Sequence, residues 1–199
     1  MRLTGTGRSG MDIVETALAE VKILTPRRFG DQRGFFSESW SRRVMADAGL
    51  DFDFVQDNES LSAAMGTLRG LHYQAPPFAQ AKLVRVVRGA IMDVAVDVRV
   101  GSPDYGRWVK AEISAENGAQ ILIPRGFLHG FVTLAEDTHV LYKADNFYSA
   151  ECDGGVVWDD VDLGIDWGFS PDEVVLSDKD QRLPKLTKWT SPFVYGDGA

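Results

Sequence analysis

Met92, Val94, Val96 and Val98 alternate without a break with Asp93, Ala95, Asp97 and Arg99. Successive side chains of an extended strand point to opposite faces, so this run predicts a half-buried antiparallel strand with its apolar residues inward. Shorter runs of the same character recur at Val21 to Thr25, Phe52 to Asn58, Thr67 to Gln74 and Leu83 to Arg88. They continue at Trp108 to Ile113, Gln120 to Ile123, Phe127 to Leu134 and His139 to Ala144. Gly101-Ser102-Pro103-Asp104, Glu116-Asn117-Gly118, Pro124-Arg125-Gly126 and Glu136-Asp137 separate them as turns. Many short strands at this spacing predict an all-β sandwich or barrel with one or two short helices. The convincing helix is Ser39 to Ala48, with serine available as N-cap and Gly49 as the stop. Arg27 to Phe36 reads as a solvated, glycine-punctuated loop. Beyond Tyr148 the pattern dissolves into loop and tail.

A chain of 199 residues suits one β-rich domain, expected over residues 12–185, with 186–199 as a tail. Residues 1–11 read as a disordered extension, rich in Gly, Ser and Thr ahead of Met11, which is an alternative start. Lys and Arg number 21 against 29 Asp and Glu, a net charge of −8. That field repels nucleic acid and anionic membrane, so an anionic ligand needs a local basic pocket. The single cysteine, Cys152, excludes an intrachain disulfide and a multi-cysteine metal site, as suits a reducing compartment. With no apolar run of about 18 residues, the chain reads as soluble and cytoplasmic.

Thr67-Leu68-Arg69-Gly70-Leu71-His72-Tyr73-Gln74 is where chemistry could sit, because a guanidinium and an imidazole lie three residues apart in a strand-like stretch. Strict alternation puts Leu68, Gly70, His72 and Gln74 on one face and Arg69, Leu71 and Tyr73 on the other, so both faces mix polar and apolar groups. A lone strand histidine is more often a hydrogen-bonded structural residue than a catalyst. The chain has only His72, His129 and His139. Pro124-Arg125-Gly126-Phe127-Leu128-His129 resembles the second short motif of the cupin superfamily. Metal-binding cupins also carry a His-x-His pair and a glutamate, where this chain has His72 with Gln74, so no metal is expected.

Taken in order, several blocks resemble the dTDP-4-dehydrorhamnose 3,5-epimerase family of rhamnose biosynthesis. They are Phe29 to Glu38, Phe54 to Asn58, Leu68 to His72, Ala81 to Arg85, Asp93 to Asp97, Ile123 to Phe131, Leu141 to Ala144 and Leu176 to Asp180. The resemblance implies a jelly-roll cupin fold (a double-stranded β-helix), a homodimer, and an epimerase that needs no cofactor. Its substrate would be dTDP-4-keto-6-deoxy-D-glucose and its product dTDP-4-keto-L-rhamnose. Protons on both carbons flanking a ketone are acidic enough to remove if the enolate is stabilised, and imidazole titrates in the right range for a base. By resemblance that base is His72, oriented by Asp180, with Tyr142 as the acid on the opposite face and Lys82 as the cation for the ketone oxygen. Arg33, Arg69 and Lys179 fall on diphosphate-contacting positions. Glu38, Gln56, Asn58 and His129 fall on other substrate-contacting positions, and Phe36 and Tyr148 could stack on thymine. The family often has Glu before a glycine where this chain has Asp153, a further substrate contact. Open alternatives are a relative inverting one carbon only, a metal-dependent cupin oxygenase or isomerase, and a non-catalytic nucleotide-sugar binder. Binding alone would not need an acid and a base placed together.

Overall fold

The computed structural model describes residues 10–196. Its strands run β1 (Met11–Glu15), β2 (Lys22–Pro26), β3 (Phe29–Asp31), β4 (Gly34–Phe36), β5 (Gln56–Ser62), β6 (Leu68–Gln74) and β7 (Lys82–Arg88). They continue as β8 (Ala90–Asp97), β9 (Trp108–Ser114), β10 (Gln120–Ile123), β11 (Phe127–Thr133), β12 (Thr138–Ala144) and β13 (Asp153–Gly155). One helix, α1 (Arg42–Asp47), lies between β4 and β5, and single 3-10 turns occupy Asp180–Arg182 and Leu186–Lys188. A six-stranded sheet has the order β1-β2-β10-β7-β12-β5, and a five-stranded sheet the order β13-β6-β11-β8-β9. Neighbouring strands within both are antiparallel. The chain winds between the sheets as a jelly roll, the all-β class expected.

The sheets face one another across a core to which both contribute. Val84, Val86, Ile121, Ile123 and Val140 come from the larger sheet, and Ile91, Ala95, Val109, Ile113, Phe127 and Phe131 from the smaller. Burying each of the valine, isoleucine and phenylalanine side chains contributes about 1.5–3 kcal/mol. A second cluster covers the outer face of the smaller sheet, where Val94, Val96, Leu128 and Val132 lie under Val156, Trp158, Leu163, Trp167 and Phe193. β8 is therefore buried on both faces rather than half-buried. The valines face the C-terminal segment, while Asp93 and Ala95 face the space between the sheets. The strand was correctly legible, but its cover arrives from a distant stretch of chain.

The expected tail is part of the domain: Phe193 is buried, Val194 bridges to Val100, and Trp189 Nε1 donates to Tyr73 Oη at 3.0 Å. Arg99 anchors the same segment, its guanidinium lying between the Phe127 and Tyr195 rings while it pairs with Asp97 and Glu20. Of the expected N-terminal extension, residues 1–9 lie outside the described residues. Met11 is buried and pairs with Pro26 at the start of β1, so it belongs to the sheet.

Three further boundaries differ from the sequence reading. The expected strand at Phe52 begins only at Gln56, because Phe52 and Phe54 pack with Met45 of α1 over the outer face of the larger sheet at Leu24, Leu83 and Leu122. α1 starts at Arg42, and Ser41 occupies the N-cap without a side-chain cap bond. The expected loop at Arg27 to Phe36 is the exposed hairpin β3–β4, stiffened where Arg27 lies over Phe29 and Arg28 over Phe35.

Candidate active site

β6 pairs with β11 through His72 opposite His129 and Arg69 opposite Phe131, so three steps on β6 match two on β11. A β-bulge thus inserts one residue and turns Arg69 and His72 to the same side, where strict alternation would have separated them. Leu71 and Tyr73 turn to the outer cluster instead. Gly70 makes the bulge feasible. Its φ is +140°, and a Cβ there would lie 2.5 Å from Gly130 Cα on the facing strand.

Arg69 and His72 open onto a cavity of about 470 Å³ between the sheets, lined also by Ser60, Lys82, His129, Phe131, Tyr142, Leu176, Ser177, Lys179 and Asp180. His72 Nε2 lies 2.5 Å from Asp180 Oδ1, which leaves the other ring nitrogen for a ligand. Asp180 stands in the 3-10 turn and is only 3 % exposed. Burial alone would push its carboxyl up, but the hydrogen bond and charge of His72, with Ser177 and Lys179, hold it below the usual range. A buried, ionised carboxylate behind an imidazole fixes the tautomer and stabilises the imidazolium once a proton is taken.

A second pair lies alongside. His129 Nε2 is 2.9 Å from Asp93 Oδ2, and both residues are buried. Burial pushes the Asp93 carboxyl up, while His129 and Lys82 pull it back. Local periodicity hides this role of Asp93, because the residue falls on the face of β8 that alternation marks as solvated. His139 lies apart from the cavity and pairs with Glu59 at 2.5 Å.

Lys82 and Tyr142 come from the other sheet, on β7 and β12. Their cross-strand partners, Ala144 for Lys82 and Val84 for Tyr142, make them diagonal neighbours, and Lys82 Nζ lies 6.0 Å from the Tyr142 ring centroid. Loss of water pushes the Lys82 ammonium below the ordinary lysine pKa, Asp153 and Asp93 oppose that, and Lys179 adds to it. Burial raises the Tyr142 phenol, Arg69 pulls it down, and Asp153 and Tyr148 raise it further, so the phenol keeps its proton at neutral pH. His72 and Tyr142 therefore face the cavity from opposite walls.

The remaining residues singled out in the sequence divide into two groups. Arg69 spans the mouth to the opposite sheet, donating to Ser62 Oγ and to the Leu61 carbonyl at 3.3 Å each. Gln56, Asn58, Tyr148 and Asp153 lie beside the cavity without lining it: Asn58 is opposite Tyr142, Gln56 Nε2 donates to Asn58 Oδ1, Gln56 Oε1 accepts from the Tyr148 amide, and Asp153 accepts from Lys179 and from the Tyr148 hydroxyl. Arg33, Phe36 and Glu38 are not brought to this cavity. Arg33 and Phe36 belong to the exposed hairpin, Arg33 being paired with Asp31, and Glu38 is exposed just beyond it. Among the described residues, no three His, Cys, Asp or Glu side chains are grouped to hold a metal ion. No helix among them is long and apolar enough to cross a membrane.

An imidazole backed by an ionised carboxylate can take a proton, and a protonated phenol across the same cavity can give one. Fold and site together define a jelly-roll enzyme built for acid–base catalysis. A family model described as dTDP-4-dehydrorhamnose 3,5-epimerase matches residues 15–188. A relative of that name from Sinorhizobium fredii is 54% identical over 195 residues, 96% of this chain and 97% of its own. The dTDP-4-dehydrorhamnose 3,5-epimerase of Bacillus anthracis, solved with TDP and PPi bound, is 49% identical with a TM-score of 0.86, covering 88% of this chain and 99% of its own. The Legionella pneumophila dTDP-6-deoxy-D-glucose-3,5-epimerase, solved with dTDP-4-keto-L-rhamnose, is 43% identical with a TM-score of 0.84, covering 89% and 93%. The chain belongs to the dTDP-4-dehydrorhamnose 3,5-epimerase family.

Proposed function

We propose that the enzyme converts dTDP-4-keto-6-deoxy-D-glucose to dTDP-4-keto-L-rhamnose in the cytoplasm by inverting carbons 3 and 5 of the hexose. One observation carries this reading: His72, backed by Asp180 from the 3-10 turn, stands on one sheet and Tyr142 on the other, with Lys82 beside the phenol. A sugar ring held between the walls presents opposite faces to base and acid. His72 takes the proton from a carbon next to the ketone, the C–H electron pair forms the enolate, and Lys82 stabilises the negative charge on the ketone oxygen. Tyr142 returns a proton to the other face, which inverts the carbon. Exchange with solvent resets both groups before the second carbon reacts. Arg69 and Lys179 supply local positive charge for the diphosphate within an acidic protein. Gln56, Asn58 and Tyr148, beside the cavity, meet the nucleoside, and His129, held by Asp93, borders the sugar. Asp153 acts through Lys179, to which it is bound.

A homodimer accounts for the residues left outside the cavity. The hairpin exposes Phe29, Phe35 and Phe36, and the neighbouring outer face of the larger sheet exposes Leu61 and Val87. A second copy on that face would cover this apolar surface and receive Arg33, Phe36 and Glu38 at the rim of its own cavity. Sedimentation should give a dimer. Mixing inactive Arg33→Ala and His72→Ala chains after unfolding should restore roughly a quarter of wild-type activity, because half of the mixed dimers' sites are intact. A monomer, or no restored activity, would refute the shared site.

Incubation with the keto sugar in heavy water, followed by NMR, tests the reaction itself. Deuterium should enter carbons 3 and 5 with inversion at both. Exchange and inversion at one carbon alone would assign a single-carbon epimerase, and exchange at neither would refute the proposal.

A further inference from the structure

β5 turns a polar row inward, Gln56, Asn58, Ser60 and Ser62, while Asp57, Glu59 and Leu61 face out. The neighbours of Ser60 on this row are satisfied, Asn58 by Gln56 and Ser62 by Arg69. Ser60 lines the catalytic cavity, yet its Oγ is closed to water and has no hydrogen-bond partner among the described residues. A hydroxyl in that condition destabilises the folded state, because it gave up water and gained no bond. Alanine would remove the unbonded hydroxyl and with it that cost, so hydrogen bonding within the fold gives no reason for a serine.

Position narrows what the hydroxyl is for. Ser60 is opposite Val140 and diagonal to Tyr142 on β12, and next along its own inward row is Ser62, which holds Arg69. It therefore stands between the phenol that meets the reacting carbons and the guanidinium that meets the diphosphate. Its Cβ points inward by strand parity, and rotation about χ1 alone aims Oγ at a group seated on that wall. We infer that Ser60 is a specificity-determining contact for the hexose, its hydroxyl completing its bonding on the oxygen at carbon 2 or carbon 3. This rests on the roles proposed above for Tyr142 and Arg69.

The test compares wild type with Ser60→Ala in three measurements. Calorimetry with unreactive dTDP-glucose and with dTDP reads the contact without turnover. The variant should bind dTDP-glucose about tenfold more weakly and dTDP equally well. With the keto sugar, kcat/KM should fall about tenfold to a hundredfold. The melting temperature should stay level or rise, since an unsatisfied buried group has been removed. Equal affinity for dTDP-glucose, kcat/KM within about twofold of wild type, or a lowered melting temperature would each overturn the assignment. A wild-type protein that fails to turn over the keto sugar would instead overturn the proposed reaction, leaving the affinity comparison to decide on Ser60.

Discussion

Asp180→Asn replaces a carboxylate by an amide of nearly the same shape at a site 3 % exposed, so it isolates the charge behind His72. The bond it alters is 2.5 Å long, is charge-assisted by the carboxylate, and becomes an ion pair when His72 holds the substrate proton. Hydrogen bonds to charged groups contribute about 1.5–3 kcal/mol. At about 1.36 kcal/mol per tenfold in rate, kcat should fall roughly 10- to 150-fold. Because the loss falls on the step that makes the imidazolium, kcat and kcat/KM should drop together and dTDP affinity should hold within about twofold. Stability gives an independent reading. The folded carboxyl titrates below its ordinary value of 3.8, so the native state holds this charge more readily than the unfolded chain. That contribution is complete above about pH 3.8 and disappears as pH falls through the lower folded value. The stability deficit of Asp180→Asn, measured by denaturant melts, should accordingly shrink below that pH. Wild-type kcat, or a rise in KM with kcat unchanged, would refute the role given to Asp180.

Lys82 has a depressed pKa, so kcat/KM should decline as pH rises toward the ordinary lysine value of 10.5. Lys82→Arg should move that alkaline limb to higher pH, and an unmoved limb would assign it to another group. Gly70→Ala places a Cβ against Gly130 at a positive φ. It should lower the melting temperature by about 2–4 °C per kcal/mol of strain and reduce kcat by disturbing the Arg69–His72 spacing; wild-type melting and kcat would show that the bulge tolerates a side chain. If Arg69 holds the diphosphate as proposed, Arg69→Ala should raise both KM and the dTDP dissociation constant, because such a contact is made in ground and transition states alike. Unchanged values of both would remove Arg69 from the binding site.

Local periodicity was enough to read most strands, because residues such as Val94 and Val96 carry the pattern themselves. What it missed depends on distant partners. The outer face of β8 is dry only because Trp158 and Trp167 return over it. That hidden cover, and the turn of Asp93 toward His129, made a buried acid look solvated. Arg69 and His72 share a face only through one inserted residue, and Gly70 is the one mark of it in Leu68-Arg69-Gly70-Leu71-His72, since an isolated glycine within a strand signals a bulge that strict alternation overlooks. Asp180 and Tyr142 were legible through family resemblance alone, since a loop acid and a strand tyrosine carry no chemical signature of their own. Ser60 left no signal, because a serine on an edge strand is ordinary until its missing partner is seen in three dimensions.

The division of labour between the two sheets is tested most directly by Tyr142→Phe in heavy water, with exchange and inversion followed separately by NMR at carbons 3 and 5. The variant keeps His72, Asp180 and Lys82, so deprotonation should survive and deuterium should enter the sugar slowly, mainly with retention, as His72 returns a solvent-derived proton to the face it came from. Inversion should fall much further, by about 10² or more, the scale expected for deleting a general acid. Parallel loss of exchange and inversion would contradict a base and an acid on opposite walls, and wild-type inversion would mean that Tyr142 gives no proton at all.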